Sequence, residues 1–232
     1  MDTESLKVQP EQNFSAQVLW SMVRLGADVS VDALIGRAQL EDMAAMAGRR
    51  ADKGRVALAA RGLLRSVLAV AGGPTDWHIR PDGRGKPFLF AADGTAGPHL
   101  SLSHSGDYVA VAVSQRMALG IDVEVYRPRD FARLAAYAFG PQEAAVASQS
   151  AADFYRLWTL REAMGKWDGQ GLRLAADGQD RIADPHASGI WSDGAWHLFH
   201  AAGDDVSLAI ACQGDAAWQA ASLCRLTPAE LL

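Results

Sequence analysis

Apolar and polar positions along this chain change their period several times. The early segment "QVLWSMVRL" is a short apolar run with strand character. From about Gln39 to Val70 the period lengthens to that of a helix, with Val56, Ala60, Leu63, Leu64, Val67 and Val70 on one arc and Arg61 and Arg65 at its margin. "AGGP" at Ala71–Pro74 stops that helix. Gly, Pro and Asp between Trp77 and Pro98, including "DGRGKPF", mark turns and short strands. "HLSLSHSG", "DYVAVAVSQ" and "LGIDVEVYRP" then alternate with period two. In the second of these, Val109, Val111 and Val113 oppose Ala110 and Ala112, and the small face is expected to receive a helix.

After "RPRD" the pattern is helical through "FARLAAYAFGPQEAAVA" and "ADFYRLWTLREAMGKW", where Phe154, Leu157, Trp158, Leu160 and Met164 define the buried arc. "GIWSDGAWHLFHAAGDDVSLAIACQ" and "WQAASLCRL" close the chain as strands. "VSLAIACQGDAAWQAASL" echoes "YVAVAVSQRMALGIDVEV" in length and alternation. The pattern predicts an α+β fold of two similar halves, 1–126 and 127–232, meeting near Tyr126–Asp130.

Composition narrows the classes. The chain has 232 residues, 49% of them hydrophobic and 21% charged, as globular proteins do. Its opening "MDTESLKVQP" lacks the basic start and apolar core of a signal peptide, and no apolar run reaches the roughly 18 residues of a membrane span. The expected location is the cytoplasm. Cys212 and Cys224 have no zinc-like spacing and read as buried thiols. A net charge of -5 argues against nucleic acid, yet Arg49, Arg50, Lys53, Arg55, Arg61 and Arg65 form a basic segment suited to a local anion site.

Two carboxylates, Asp122 and Glu124, alternate along one strand and therefore share a face. Such a face is either simply solvated or built to hold a cation. Glu162 and Lys166, four apart on a helix, read alone as an ordinary surface ion pair. Were that helix beside the strand, three carboxylates would make an all-oxygen Mg²⁺ site, with Lys166 available to a phosphate.

In this order and spacing, "GRGKPF", "LSLSHSG", "GIDVE" and "FYRLWTLREAMGKWDGQGL" resemble the motif series of 4'-phosphopantetheinyl transferases, of the longer, two-halved type that activates surfactin synthetase and other secondary-metabolism carriers. Most specific is Asp122-x-Glu124 with, 38 residues after Glu124, the Glu162 of Trp158-x-x-Arg161-Glu162-Ala163-x-x-Lys166. The resemblance implies two pseudo-equivalent halves with coenzyme A and Mg²⁺ in the cleft between them, a monomer, and transfer of the phosphopantetheine arm to a serine of an apo acyl or peptidyl carrier protein, releasing adenosine 3',5'-bisphosphate. It assigns Asp122, Glu124 and Glu162 to the metal, and Lys166 to phosphate. It assigns Lys86 and Pro87 of "GKP", Ser103 and His104 of "SHS", and Arg65 to coenzyme A, with looser matches for Arg55 and for Arg49 or Arg50.

Glu162 is the first candidate for the base that deprotonates the carrier serine, with Asp122, Glu124 and His104 as alternatives. Arg161 stands where the family has Lys, so a different local phosphate geometry is expected. Gly165 interrupts the helix at a cost of about 1 kcal/mol relative to Ala. The alternatives in other classes are a Mg²⁺-dependent phosphohydrolase acting on coenzyme A or a nucleotide, and a non-catalytic module that binds coenzyme A or a carrier.

Overall fold

The computed structural model describes residues 18–48, 50–72, 76–169, 176–213 and 223–231. They form a mixed α+β protein in two compact units: Met1–Pro81 with Pro87–Arg116 and Gln219–Leu232, and Asp82–Lys86 with Met117–Trp218.

In the first unit, the alternating segments become β1 (Val18–Arg24), β4 (His99–Ser105) and β5 (Tyr108–Ser114). Together with β10 (Leu223–Arg225) they make a sheet of order β10-β1-β5-β4, antiparallel except for the β1–β10 pair. β2 (His78–Pro81) and β3 (Pro87–Phe90) form a separate hairpin. The long helical arc is two helices rather than one, α2 (Leu40–Met46) and α3 (Ala51–Val70), preceded by α1 (Val31–Ile35). The break falls at Ala47 and Gly48, the glycine taking φ +84°, a left-handed conformation that ends a helix at little cost. Leu63, Leu64 and Val67 of α3 join Val109, Val111 and Val113 in the core. The helix thus lies on the valine face of β5, contrary to the expectation from its small face. The larger side chains bury more apolar area against a helix, which decides the choice. α7 (Pro228–Leu231) completes this unit.

The second unit contains β6 (Leu119–Val125), α4 (Phe131–Ala138), α5 (Pro141–Ala147), α6 (Ala151–Asp168), β7 (Gly189–Asp193), β8 (Trp196–Ala202) and β9 (Val206–Gln213). Its sheet runs β6-β9-β8-β7, all antiparallel. The division by contacts falls between Arg116 and Met117, ten residues before the expected boundary, because β6 pairs along its whole length with β9. Of the C-terminal segment expected as strand, Leu223–Arg225 is β10 and residues 218–222 lie outside the described set.

α6 is buried around most of its circumference, not only on the predicted arc: Tyr155, Arg156, Thr159, Arg161 and Ala163 are covered as well as Phe154, Leu157, Leu160 and Met164. The sheet takes one side. Phe131, Phe139 and Phe154 form a ring cluster with Tyr155 and Trp158 on another. Ser150 caps the start, accepting from the Asp153 N–H at 3.0 Å, and Gly169 ends the helix at φ +78°.

Candidate active site

Gly120, Asp122 and Glu124 share one face of β6, and that face is covered by α6. A Cβ built on Gly120 would lie 1.9 Å from the Ala163 carbonyl oxygen, so strand and helix touch backbone to backbone there. Across the sheet, β9 presents Ala211, Ala209 and Ser207 opposite these three residues, which keeps the helix close. The carboxylate pair is therefore not on a solvated sheet face. Asp122 is 4% exposed and Glu124 half-buried. The reverse face, Ile121 and Val123, is buried too.

Ala163 lies between Glu162 and Lys166 on α6, so the contact at Gly120 brings both to the strand. Lys166 Nζ donates to Asp122 Oδ1 at 2.7 Å and to the Ile121 carbonyl at 3.2 Å. Burial raises the Glu162 carboxyl to about 7, helped by the charges of Asp122 and Glu124 and opposed by Lys166. Asp122, Glu124, Glu162 and Lys166 form one electrostatic group. Among the described residues no three His, Cys, Asp or Glu side chains adopt the spacing of a metal cage, and Lys166 is the cation on Asp122.

The remaining predicted residues are distributed. Lys86 Nζ donates to the Leu119 carbonyl at 3.2 Å and to the Trp167 carbonyl, tying the start of β6 to the last turn of α6, and burial lowers its pKa. Its Gly-Lys-Pro turn is held by Asp82 Oδ1, which accepts from the backbone N–H groups of Arg84 and Lys86. Pro87 opens β3. Ser103 and His104 are neighbours on β4, so their side chains leave opposite faces of the sheet, Ser103 buried and His104 exposed. Arg55 pairs with Asp32 at the surface, 2.7 Å away. Arg65 is buried in α3 and committed to Glu41, Asp42 and the Trp77 carbonyl, so work at a phosphate would first break those bonds. Arg50 is the exposed N-cap residue of α3, and Arg49 lies outside the described residues.

Arg161 corrects an expectation. It is fully buried, bonded to Glu143 Oε2 at 2.6 Å, Asp177 Oδ1 at 2.7 Å and the Gln179 carbonyl at 2.8 Å. Its task is to hold α6 to α5 and the segment after α6, which a forked guanidinium does and an ammonium does not. Gly120 was missed from sequence, although a glycine two residues before Asp122 on the same strand face is the available signal.

A profile of the 4'-phosphopantetheinyl transferase superfamily matches residues 118–211, the stretch from β6 to β9. The 4'-phosphopantetheinyl transferase HetI of Nostoc sp. is 30% identical over 169 residues, covering 69% of this chain and 71% of that protein. The chain belongs to the 4'-phosphopantetheinyl transferase family. Shorter alignments relate it to the phosphopantetheinyl transferase AcpT of Salmonella typhimurium, 39% identical over 92 residues, and to the phosphopantetheinyl transferase psf-1 of Bacillus pumilus, 33% identical over 117. These two cover 37% and 45% of the chain, and it spans about half of each relative, 46% and 48%. The family segment contains Asp122, Glu124, Glu162 and Lys166.

Proposed function

We propose that this chain transfers the 4'-phosphopantetheine arm of coenzyme A to a serine of an apo acyl or peptidyl carrier protein. The observation that carries the reading is the meeting of Asp122 and Glu124 on β6 with Glu162 and Lys166 on α6. In the reaction the serine hydroxyl attacks the β-phosphorus of coenzyme A. A new O–P bond forms, the bond to the bridging oxygen breaks, and adenosine 3',5'-bisphosphate leaves with the negative charge that develops on it.

The chemistry of the donor set suits Mg²⁺: all its ligating atoms are carboxylate oxygens, and burial, helped by the charges of Asp122 and Glu124, raises the Glu162 carboxyl to about 7. Asp122, Glu124 and Glu162 would hold the ion, which supplies charge neutralisation to the diphosphate. Lys166 is the mobile cation of the group. Its ammonium, now 2.7 Å from Asp122 Oδ1, would be the cation available to the phosphates. Glu162 is the carboxylate we assign to the serine proton. Lys86, beside the end of α6, is the further cation assigned to coenzyme A, with Ser103, His104 and Arg55 from the first unit.

Two finer points go with this reading. The units are pseudo-equivalent halves: in each, an initial strand (β1 or β6) is followed by helices ending in a long one (α3 or α6), then by a hairpin whose last strand pairs antiparallel with the first. The carrier docks along α4 and the residues before it, where Arg127, Arg129 and Arg133 are exposed and Tyr137 is 77% exposed, a basic and aromatic surface complementary to an acidic helix. The enzyme works as a monomer in the cytoplasm on secondary-metabolism carriers, and its two free cysteines suit a reducing compartment.

The deciding experiment incubates the protein with coenzyme A, Mg²⁺ and a panel of apo carriers, and weighs the carriers. One phosphopantetheine arm is expected on the conserved serine of at least one. Unmodified carriers throughout, with coenzyme A consumed, would replace this reading by hydrolysis.

A further inference from the structure

Two cations from one turn close the end of α6. Arg84 Nη1 donates to the Asp168 carbonyl at 3.2 Å, and Lys86 Nζ donates to the carbonyl before it, that of Trp167. The last four carbonyls of a helix have no partner inside it, and the C-terminal end of its dipole attracts positive charge, so the turn supplies what the helix lacks. Contact extends to the cap: a Cβ built on Gly169 would lie 3.3 Å from the Arg84 Cβ and 3.4 Å from the Lys86 Cβ. The turn, Asp82–Lys86, belongs with α6 to the second unit.

That end of the helix needs holding. Gly165 opens its last turn, and a glycine inside a helix costs about 1 kcal/mol relative to Ala. The next residue is Lys166, whose ammonium meets Asp122 Oδ1. Lys86 works on both sides of this meeting point. Its second acceptor, the Leu119 carbonyl at 3.2 Å, adjoins Gly120, and a Cβ on Gly120 would lie 2.9 Å from the Trp167 nitrogen as well as 1.9 Å from the Ala163 oxygen. One ammonium therefore bridges strand and helix beside their backbone contact, using two of its three N–H donors. Behind it, Asp82 shapes the turn. Its Oδ1 accepts from the N–H groups of Arg84 and Lys86 at 2.8 and 2.9 Å, and its own N–H donates to the Lys86 carbonyl at 2.8 Å.

We infer that the turn Asp82–Lys86 is a positioning device for transfer: it clamps the weak last turn of α6 onto β6 and so sets where Lys166 and Glu162 stand relative to Asp122. Asp82 and Arg84 are positioning residues that act only through α6, and Lys86 keeps one N–H for the phosphate that the transferase reading gives it. The link to catalysis rests on that reading; the clamp itself does not.

The test has two arms, both on the full chain. In the first, amide hydrogen exchange is followed by NMR without coenzyme A or metal, in the wild type, Asp82→Ala, Arg84→Gln and Lys86→Met. Residues 165–168 should exchange about tenfold faster in Lys86→Met and Asp82→Ala, and less so in Arg84→Gln, while Phe154–Leu160 keep their protection. Unchanged exchange at 165–168, or acceleration along the whole of α6, overturns the clamp. In the second arm, carrier modification by Asp82→Ala should lose about tenfold in kcat, with KM for coenzyme A within about threefold of the wild type. A KM that rises at constant kcat makes the turn a coenzyme ligand and overturns positioning. A wild-type chain that modifies no carrier removes the transferase reading, and the exchange arm still decides the clamp.

Discussion

Gly120 and Ala163 are in backbone contact: no Cβ fits between the strand and the Ala163 carbonyl, and a built one lies 1.9 Å from its oxygen. Gly120→Ala must push α6 off β6 and carry Glu162 and Lys166 away from Asp122. Overpacking of this kind costs about 1–3 kcal/mol. We expect a lowered Tm together with at least a hundredfold fall in carrier modification at temperatures where the variant is folded. Near-normal transfer would mean that the contact does not set the site.

Glu162→Gln removes the charge that Asp122 and Glu124 oppose while keeping the shape. Transfer to carrier should fall by about 10²–10⁴, the usual contribution of a positioned acid or base. The Tm of the metal-free protein should not fall, since a buried, repelled carboxylate has been neutralised. Intact-mass analysis of the carrier and a thermal melt check both parts.

Arg161→Met leaves Glu143 as a buried carboxylate whose guanidinium partner is gone, although the Arg181 and Ile182 N–H groups still donate to it. Breaking a buried pair from one side costs about 3–5 kcal/mol. Chemical denaturation should show that loss. The KM for coenzyme A should stay unchanged at a temperature where the variant is folded, which separates a structural arginine from a phosphate ligand.

Charge reversal at Arg129 and Arg133 should raise KM for the carrier about tenfold or more, flatten its dependence on salt, and leave KM for coenzyme A alone. Steady-state kinetics at two ionic strengths decides it.

His200 is buried between Ser188 and Ser207, with Oγ atoms 3.0 Å from its two ring nitrogens, and burial, aided by Arg156, lowers its pKa to about 4. Unfolded, the ring titrates near 6.5. Between those values the unfolded chain binds the extra proton, so stability is complete above pH 6.5 and drains away on acidification toward 4. At pH 5 the loss is about 2 kcal/mol. Urea denaturation at pH 7.5 and pH 5 should show it, and His200→Gln should flatten the dependence.

The period-two and 3.6-residue patterns are local, which is why β1, β4, β5, β6 and α6 could be read directly from the chain. That Asp122 and Glu124 share a face followed from alternation alone. Whether the face meets water or a helix did not, because only the close approach at Gly120 decides it. The same limit hid the valine face of β5: two buried faces look alike in sequence, and the apolar area available to α3 selects between them. Arg161 was misread because a charge on a helix is legible but its partners, Glu143 and Asp177, are 18 and 16 residues away. The Ala47–Gly48 break escaped notice within a run of helix-forming residues.

The chain leaves the first unit after β5 and returns to it as β10, which lies beside β1 in parallel. Neither unit is a continuous stretch, so no single cut yields both intact. A protease trimming from the C-terminal end would strip β10 and leave β1 a bare sheet edge, open to pairing with other chains.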